Sequence, residues 1–190
     1  DATAFSTLHN NRSPQHASQD FEPIKYCRQL KALDLGHNAI TSIDFIRDLT
    51  DLRVLILAIN QIEDISVLAR LPRLEYVELF KNKIRDISPL AHMKQVLDLN
   101  ICFNYIKDYS PLLGLGTLER LWIYNSNNYA ASQPVPREVV SQLKAALPGC
   151  HIDHTHYSTL GGWREHPRYF VIFDTFKNGV YLPFEPTGSK

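Results

Sequence analysis

The sequence predicts an α/β solenoid with a curved parallel β-sheet on its concave side. Its convex side is expected to carry 3₁₀ or short helical turns, and a C-terminal helix and a β-hairpin-like tail are expected to cap it. Three observations carry this reading. Asparagine recurs at Asn38, Asn60, Asn82 and Asn104, each 22 residues after the last. Apolar columns keep the same step: Leu33, Leu55, Val77, Leu99 and Leu121 form one, and Leu35, Leu57, Leu79, Ile101 and Ile123 form the next. After each asparagine, apolar residues follow at a three-residue step, as in Ile84, Ile87, Leu90 and Met93. Repetition at a fixed period of this length marks stacked units that bury one continuous core.

Residues 1–20 are polar with scattered apolar positions and read as a flexible leader. The array runs over 21–154. A partial repeat, Phe21, Ile24 and Cys27, stands 22 residues before Ile43, Ile46 and Leu49. Within each unit, LxxLxL ends in period-2 alternation and reads as a short strand. The asparagine sits where the chain leaves that strand, with its amide placed to pair backbone groups that burial would otherwise orphan. The three-residue step suits a 3₁₀ turn. Ser88-Pro89 and Ser110-Pro111 fit its start, with serine as cap and proline at the first helical position. "LERLWIYNS" keeps the leucine frame but replaces the asparagine with Ser126, and a longer loop follows. "PREVVSQLKAALPG" reads as a helix and "CHIDH" as a last strand. Residues 155–184 do not repeat. "RYFVIFDTF" and "GVYLPF" flank Asn178-Gly179, a hairpin signal, so a hairpin cap packed by Trp163, Tyr169, Phe170, Phe173 and Tyr181 is expected. Residues 185–190 read as a disordered tail.

The unit "LEYVELFKNKIRDISPLAHM" has the form of a leucine-rich repeat. It resembles the 22-residue repeats of bacterial internalins, and of the phosphatase-1 regulatory subunit that shares their type. "LKAALPGCHI" looks like the way many bacterial arrays of this kind end, and "GGWREHPRYF" like a tail that follows them. The internalin resemblance implies a surface or secreted bacterial protein. The regulatory-subunit resemblance implies an intracellular scaffold instead. The chain begins at Asp1 without a basic and apolar leader of signal-peptide type, as a trimmed chain also would.

Strand positions between the leucines project from the concave sheet. They carry Ile56, Ile59, Tyr76, Glu78, Phe80, Lys81, Asp98, Phe103, Arg120, Trp122 and Tyr124, where a solvated sheet would carry Ser, Thr, Lys and Glu. Strands about 4.8 Å apart bring these rings and methyls together. A contiguous apolar patch of this kind marks a protein-docking face, with the charged residues as rim. Coverage by the tail, the leader or a second copy in a homodimer is the alternative.

Other classes receive less support. Twenty basic residues balance twenty acidic ones, so no field favours nucleic acid. No apolar run is long enough for membrane insertion. Cys27, Cys102 and Cys150 are few, scattered and odd in number, which reads as core filling and not as a disulfide framework. "HIDHTH" gathers His151, Asp153, His154 and His156, with His166 further on, at no recognised metal spacing. No GxSxG, HExxH or phosphate loop occurs. The chain is therefore expected to be non-catalytic and without a cofactor. A site around His154, His156, Trp163 and Arg164 is the enzymatic alternative.

Overall fold

The computed structural model describes residues 2–7, 20–125, 134–156 and 159–184. Seven parallel strands stack in sequence order: β1 (Ala4–Ser6), β2 (Ala32–Asp34), β3 (Val54–Ile56), β4 (Tyr76–Glu78), β5 (Asp98–Asn100), β6 (Arg120–Trp122) and β7 (His151–Asp153). The register is that of the repeat. Leu33, Leu55, Val77, Leu99, Leu121 and Ile152 are paired neighbours on the core side. Their burial against the convex-side isoleucines and leucines makes one continuous core from Leu30 to Ile152.

The strands are short because each turns outward at its asparagine. Asn82 donates from Nδ2 to the carbonyls of Leu57 (2.9 Å) and Leu79 (3.0 Å), and its Oδ1 accepts the Ile62 N–H (3.1 Å). Asn60 makes the same bonds one coil earlier, to Leu35 and Leu57, and accepts from Asn38 and Ile40. Asn104 repeats them to Leu79 and Ile101. The residue before each asparagine is left-handed: His37 (φ 63°), Ile59 (58°), Lys81 (56°) and Phe103 (53°).

Five 3₁₀ turns line the convex side: Glu22–Tyr26, Asp44–Ile46, Ser66–Arg70, Ser88–His92 and Ser110–Leu112. Serine begins three of them but does not cap them. The aspartate two residues earlier does so, with Asp64, Asp86 and Asp108 accepting the N–H of Ser66 (2.7 Å), Ser88 (2.8 Å) and Ser110 (2.9 Å). Helix α1 (Arg137–Ala146) buries Val140 and Leu143, and β7 follows it as expected.

Two expectations are corrected. Residues Ala4–Ser6, read as part of a flexible leader, form β1 and pair with β2. The expected hairpin is instead helix α2 (Pro167–Asn178), with Pro167 at its first position and Gly179 as a left-handed C-cap at φ 67°. Asn-Gly serves a helix end as readily as a hairpin. The buried residues Arg168, Ile172, Thr175 and Phe176 follow helical spacing, not strand alternation. The loop after Ser126, most of the leader and the last six residues lie outside the described residues.

Replacing Asn82 with alanine strands the buried Ile62 N–H, at roughly 1–3 kcal/mol for a group left unpaired, and removes one of two amide donors from the carbonyls of Leu57 and Leu79, which keep Asn60 and Asn104. The Asn82→Ala chain should lose about 2 kcal/mol in urea unfolding, at the lower end of the roughly 2–5 kcal/mol expected of the cavity variant Leu79→Ala.

Candidate functional site

The repeat register assembles the concave face, one row per strand position. Tyr76, Asp98 and Arg120 are successive partners, as are Glu78, Asn100 and Trp122. The segment 159–184 lies across these rows. Gly161 (φ 70°) and Gly162 (φ 97°) turn the chain towards the sheet. A Cβ on Gly161 would stand 2.5 Å from Asp153 Oδ2, so only glycine passes there. The turn inserts Trp163, fully buried, between Trp122 (centroids 5.1 Å, T-shaped) and Tyr76 (5.3 Å). Trp163 Nε1 donates to Glu78 Oε1 (2.9 Å), and Trp122 Nε1 donates to the Leu160 carbonyl (2.8 Å).

Asp98, with no exposed surface, is gripped by two guanidiniums. Arg120 donates to its two oxygens from Nε and Nη2, both at 2.8 Å. Arg168 of α2 does the same at 2.7 and 2.8 Å, and also reaches Glu119 (2.7 Å). Arg120 spends Nη1 on the Trp163 carbonyl (3.0 Å) and holds its guanidinium 4.6 Å from the Trp163 ring centroid. Burial alone would raise the Asp98 carboxyl, but the hydrogen bonds and charges of both arginines outweigh it and hold it below the aspartate range. Glu78 moves the other way. Burial raises it against the hydrogen bonds from Tyr76 and Trp163. Beyond α2, the chain returns to β1: Thr3 and Ala4 both donate to the Gly179 carbonyl (3.1 Å), and Tyr181 N–H donates to Thr3 Oγ1 (2.9 Å).

The residues expected to form a docking face therefore divide. Tyr76, Glu78, Phe80, Asp98, Arg120 and Trp122 are buried, and the charged pair expected at the rim lies at the centre of the covered part. The reason is that the chain's own C-terminal segment supplies Trp163, Arg168, Ile172 and Phe176 as their packing partners. Ile56, Ile59, Lys81, Phe103 and Tyr124 are only partly buried, on the side of the left-handed row. Phe80, Phe103 and Tyr124 stack edge to face there, at 5.7 and 5.5 Å. On α2, Phe170 (59% exposed) and Phe173 (50%) stay half exposed, although both were expected to pack the cap. Sequence reading missed Arg168 and Asp34. Arg168 was findable, since an arginine at the second position of an apolar helix face needs a buried acid as partner.

Among the histidines, His156 Nδ1 contacts Asp153 Oδ2 (2.7 Å), and Asp153 Oδ1 accepts the N–H groups of Thr155 (2.8 Å) and His156 (2.9 Å). "HIDHTH" is thus organised as an aspartate-anchored turn after β7. His166 Nδ1 accepts the Arg168 N–H at the start of α2. None of the three cysteines is in a disulfide, and Cys102 is buried in the concave cluster.

Asp98→Ala leaves two buried guanidiniums without their acceptor and should cost roughly 3–5 kcal/mol in chemical unfolding. The same group sets a pH limit. Its folded value is lowered, so its contribution is complete above the unfolded aspartate value of about 3.9 and is lost as pH falls through that range towards the folded value. Glu78, being raised, disfavours the folded state when ionised, and that penalty is relieved as pH falls through its folded value. Tail docking, followed by the fluorescence of Trp122 and Trp163, should be firmest in mildly acidic solution and weaken below about pH 4.

Residues 28–70 and 50–92 match the family described as Leucine Rich repeats (2 copies). No curated protein sequence matches the chain. Among solved structures it is similar to internalin C2 of Listeria monocytogenes, at 30% identity and a TM-score of 0.61 over 72% of this chain and 56% of that one. It is also similar to the internalin InlF of the same organism (29%, 0.60, 70% and 37%). A leucine-rich repeat protein of Leptospira interrogans aligns at 25% identity and 0.62, over 73% and 34%. The chain spans 34–56% of the length of these three structures. Its asparagine ladder, its 22-residue register and these likenesses identify it as a leucine-rich repeat protein with internalin-like repeats.

Proposed function

We propose that the chain is a non-catalytic recognition module. It binds a protein partner along the part of the concave face that its own tail leaves partly exposed. Leucine-rich repeat proteins of internalin type are protein-interaction modules. The observation that carries the reading is Ile59. It is β-branched, held at φ 58° and only partly buried. Left-handed backbone costs an L-residue roughly 1–2 kcal/mol, and asparagine or glycine would be easier there. A bulky residue kept under strain at a half-open apolar surface points to use of that surface. Ile59 shares a groove with Phe80 and with Phe173 of α2, and Phe103 and Tyr124 continue the apolar row. The strongly coupled ionisable groups support a non-catalytic reading. Asp98, Arg120 and Arg168 are spent on one another, and Glu78 Oε1 on Tyr76 and on Trp163 of the tail.

The test is selection of displayed protein ligands on the wild-type chain, followed by binding to Ile59→Asn/Phe173→Ser. Ile59→Asn should leave unfolding unchanged or slightly raised, because asparagine accepts this backbone. Selected ligands should lose about 2 kcal/mol or more, as anchor residues do. Ligands that bind both chains equally would place recognition elsewhere. A wild-type dimer abolished by the same pair of substitutions would make a second copy the occupant and sink the partner reading.

A further inference from the structure

Between α2 and strands β2 to β4 lies a cavity of about 160 Å³. Glu78 and Asp34 form its acidic end, and Ile56, Ile59, Phe80 and Phe173 its apolar wall. Glu78 is 5% exposed, and both of its hydrogen bonds, from Tyr76 and Trp163, reach Oε1. Among the described residues Oε2 accepts none, and no fully enclosed side-chain oxygen lacks a partner, so Oε2 lies at the cavity surface. Asp34, 3% exposed, takes the Ser6 hydroxyl (2.8 Å) and the Gly36 N–H (3.0 Å). Exposed Arg164 and His37 also line the cavity. Among the described residues, Arg164 and His37 are the basic side chains that line the cavity with Glu78 and Asp34. Burial raises the Glu78 carboxyl, against the hydrogen bonds from Tyr76 and Trp163 and the charge of Arg164.

The shape narrows the guest. An apolar cavity of about 150 Å³ takes a benzene-sized molecule, so this one admits a single ring or a short alkyl chain. An anionic head would meet Glu78 and Asp34 with like charge. A neutral head would bring Oε2 no charge beyond that of exposed Arg164. An ammonium has three donors and no acceptor, and a chain that keeps its charge at one end lays its stem on apolar surface. We propose that this cavity binds a primary ammonium on an apolar stem of about four to six carbons, the ammonium donating to Glu78 Oε2 and the stem lying against Ile56, Ile59 and Phe80. The chemistry has two sources, a free alkylamine or a lysine side chain presented by a protein. The site does not depend on the recognition reading above, because a free amine needs no protein partner.

The experiment is an NMR titration of the full chain with n-pentylammonium chloride, with 1-pentanol as the neutral isostere and Nα-acetyl-lysine N-methylamide as the second source. Pentylammonium should give saturable shifts at the amides of Ile56, Ile59 and Glu78. Pentanol should bind at least about tenfold more weakly, the loss expected when a hydrogen bond to a charged group is missing. Glu78→Gln should lose a similar factor. The ammonium and alcohol comparison uses the wild-type chain, so it holds even where Glu78→Gln fails to fold. Absence of saturable shifts, equal binding of pentanol, or undiminished binding to folded Glu78→Gln would each overturn the site. Blocked lysine binding as well as pentylammonium assigns the site to a protein side chain, and its failure while pentylammonium binds assigns it to a free amine.

Discussion

The asparagine ladder is the interaction on which the rest of the molecule depends. A solenoid coil must leave its strand and turn outward while still packed between its neighbours, so its backbone groups at the bend are buried without ladder partners. Asn60, Asn82 and Asn104 each satisfy two carbonyls and at least one N–H there, across two coils at once. Because each amide ties its own coil to the preceding one, the 22-residue period is enforced by hydrogen-bond geometry as well as by the leucine columns. The same bend fixes the left-handed residue before each asparagine. It therefore fixes which side chains stand on the concave rim.

Once that register is set, the concave rows place Asp98 beside Arg120 and Tyr76 two strands from Arg120, leaving an apolar, partly charged surface. A sheet face of this kind needs a cover, and the segment 159–184 supplies one whose chemistry matches row by row. Arg168 completes the charge on Asp98, Trp163 fills the space between Tyr76 and Trp122, and Ile172 and Phe176 meet the aliphatic rows. Desolvating three charges is costly, and the doubled fork-on-carboxylate geometry recovers much of that cost while fixing one position for α2. The tail then hydrogen-bonds to β1, so the first and last described segments close on each other.

The repeat was legible because its signal is redundant. Every column is sampled four or five times, so no single substitution hides it. The tail occurs once, and its strongest local cue, Asn178-Gly179, is shared by hairpins and helix ends. The competing cues, His166-Pro167 at one end and buried spacing at 168, 172, 175 and 176, favour a helix only when read together. The concave residues were legible as a surface but not as a covered one. Coverage depends on Trp163 and Arg168, which lie 85 residues from Glu78 and 70 from Asp98. β1 was hidden for a related reason. A strand of three residues, "AFS", carries too few positions to show a period.

Ile59 joins these levels. Its column is set by the asparagine ladder, its backbone is strained by that same bend, and its side chain lies where the cover of α2 gives way to a groove. Histidine, lysine and phenylalanine fill the corresponding positions on other coils, so the backbone itself does not demand isoleucine. Packing offsets part of the strain, since Ile59 lies against the concave cluster with Phe80 close by. A fully buried isoleucine would gain more from such packing than one left half-open. The strain is therefore better accounted for if the exposed remainder of Ile59 is buried by something that binds, which is why the groove between β3, β4 and α2 is the place to look for function.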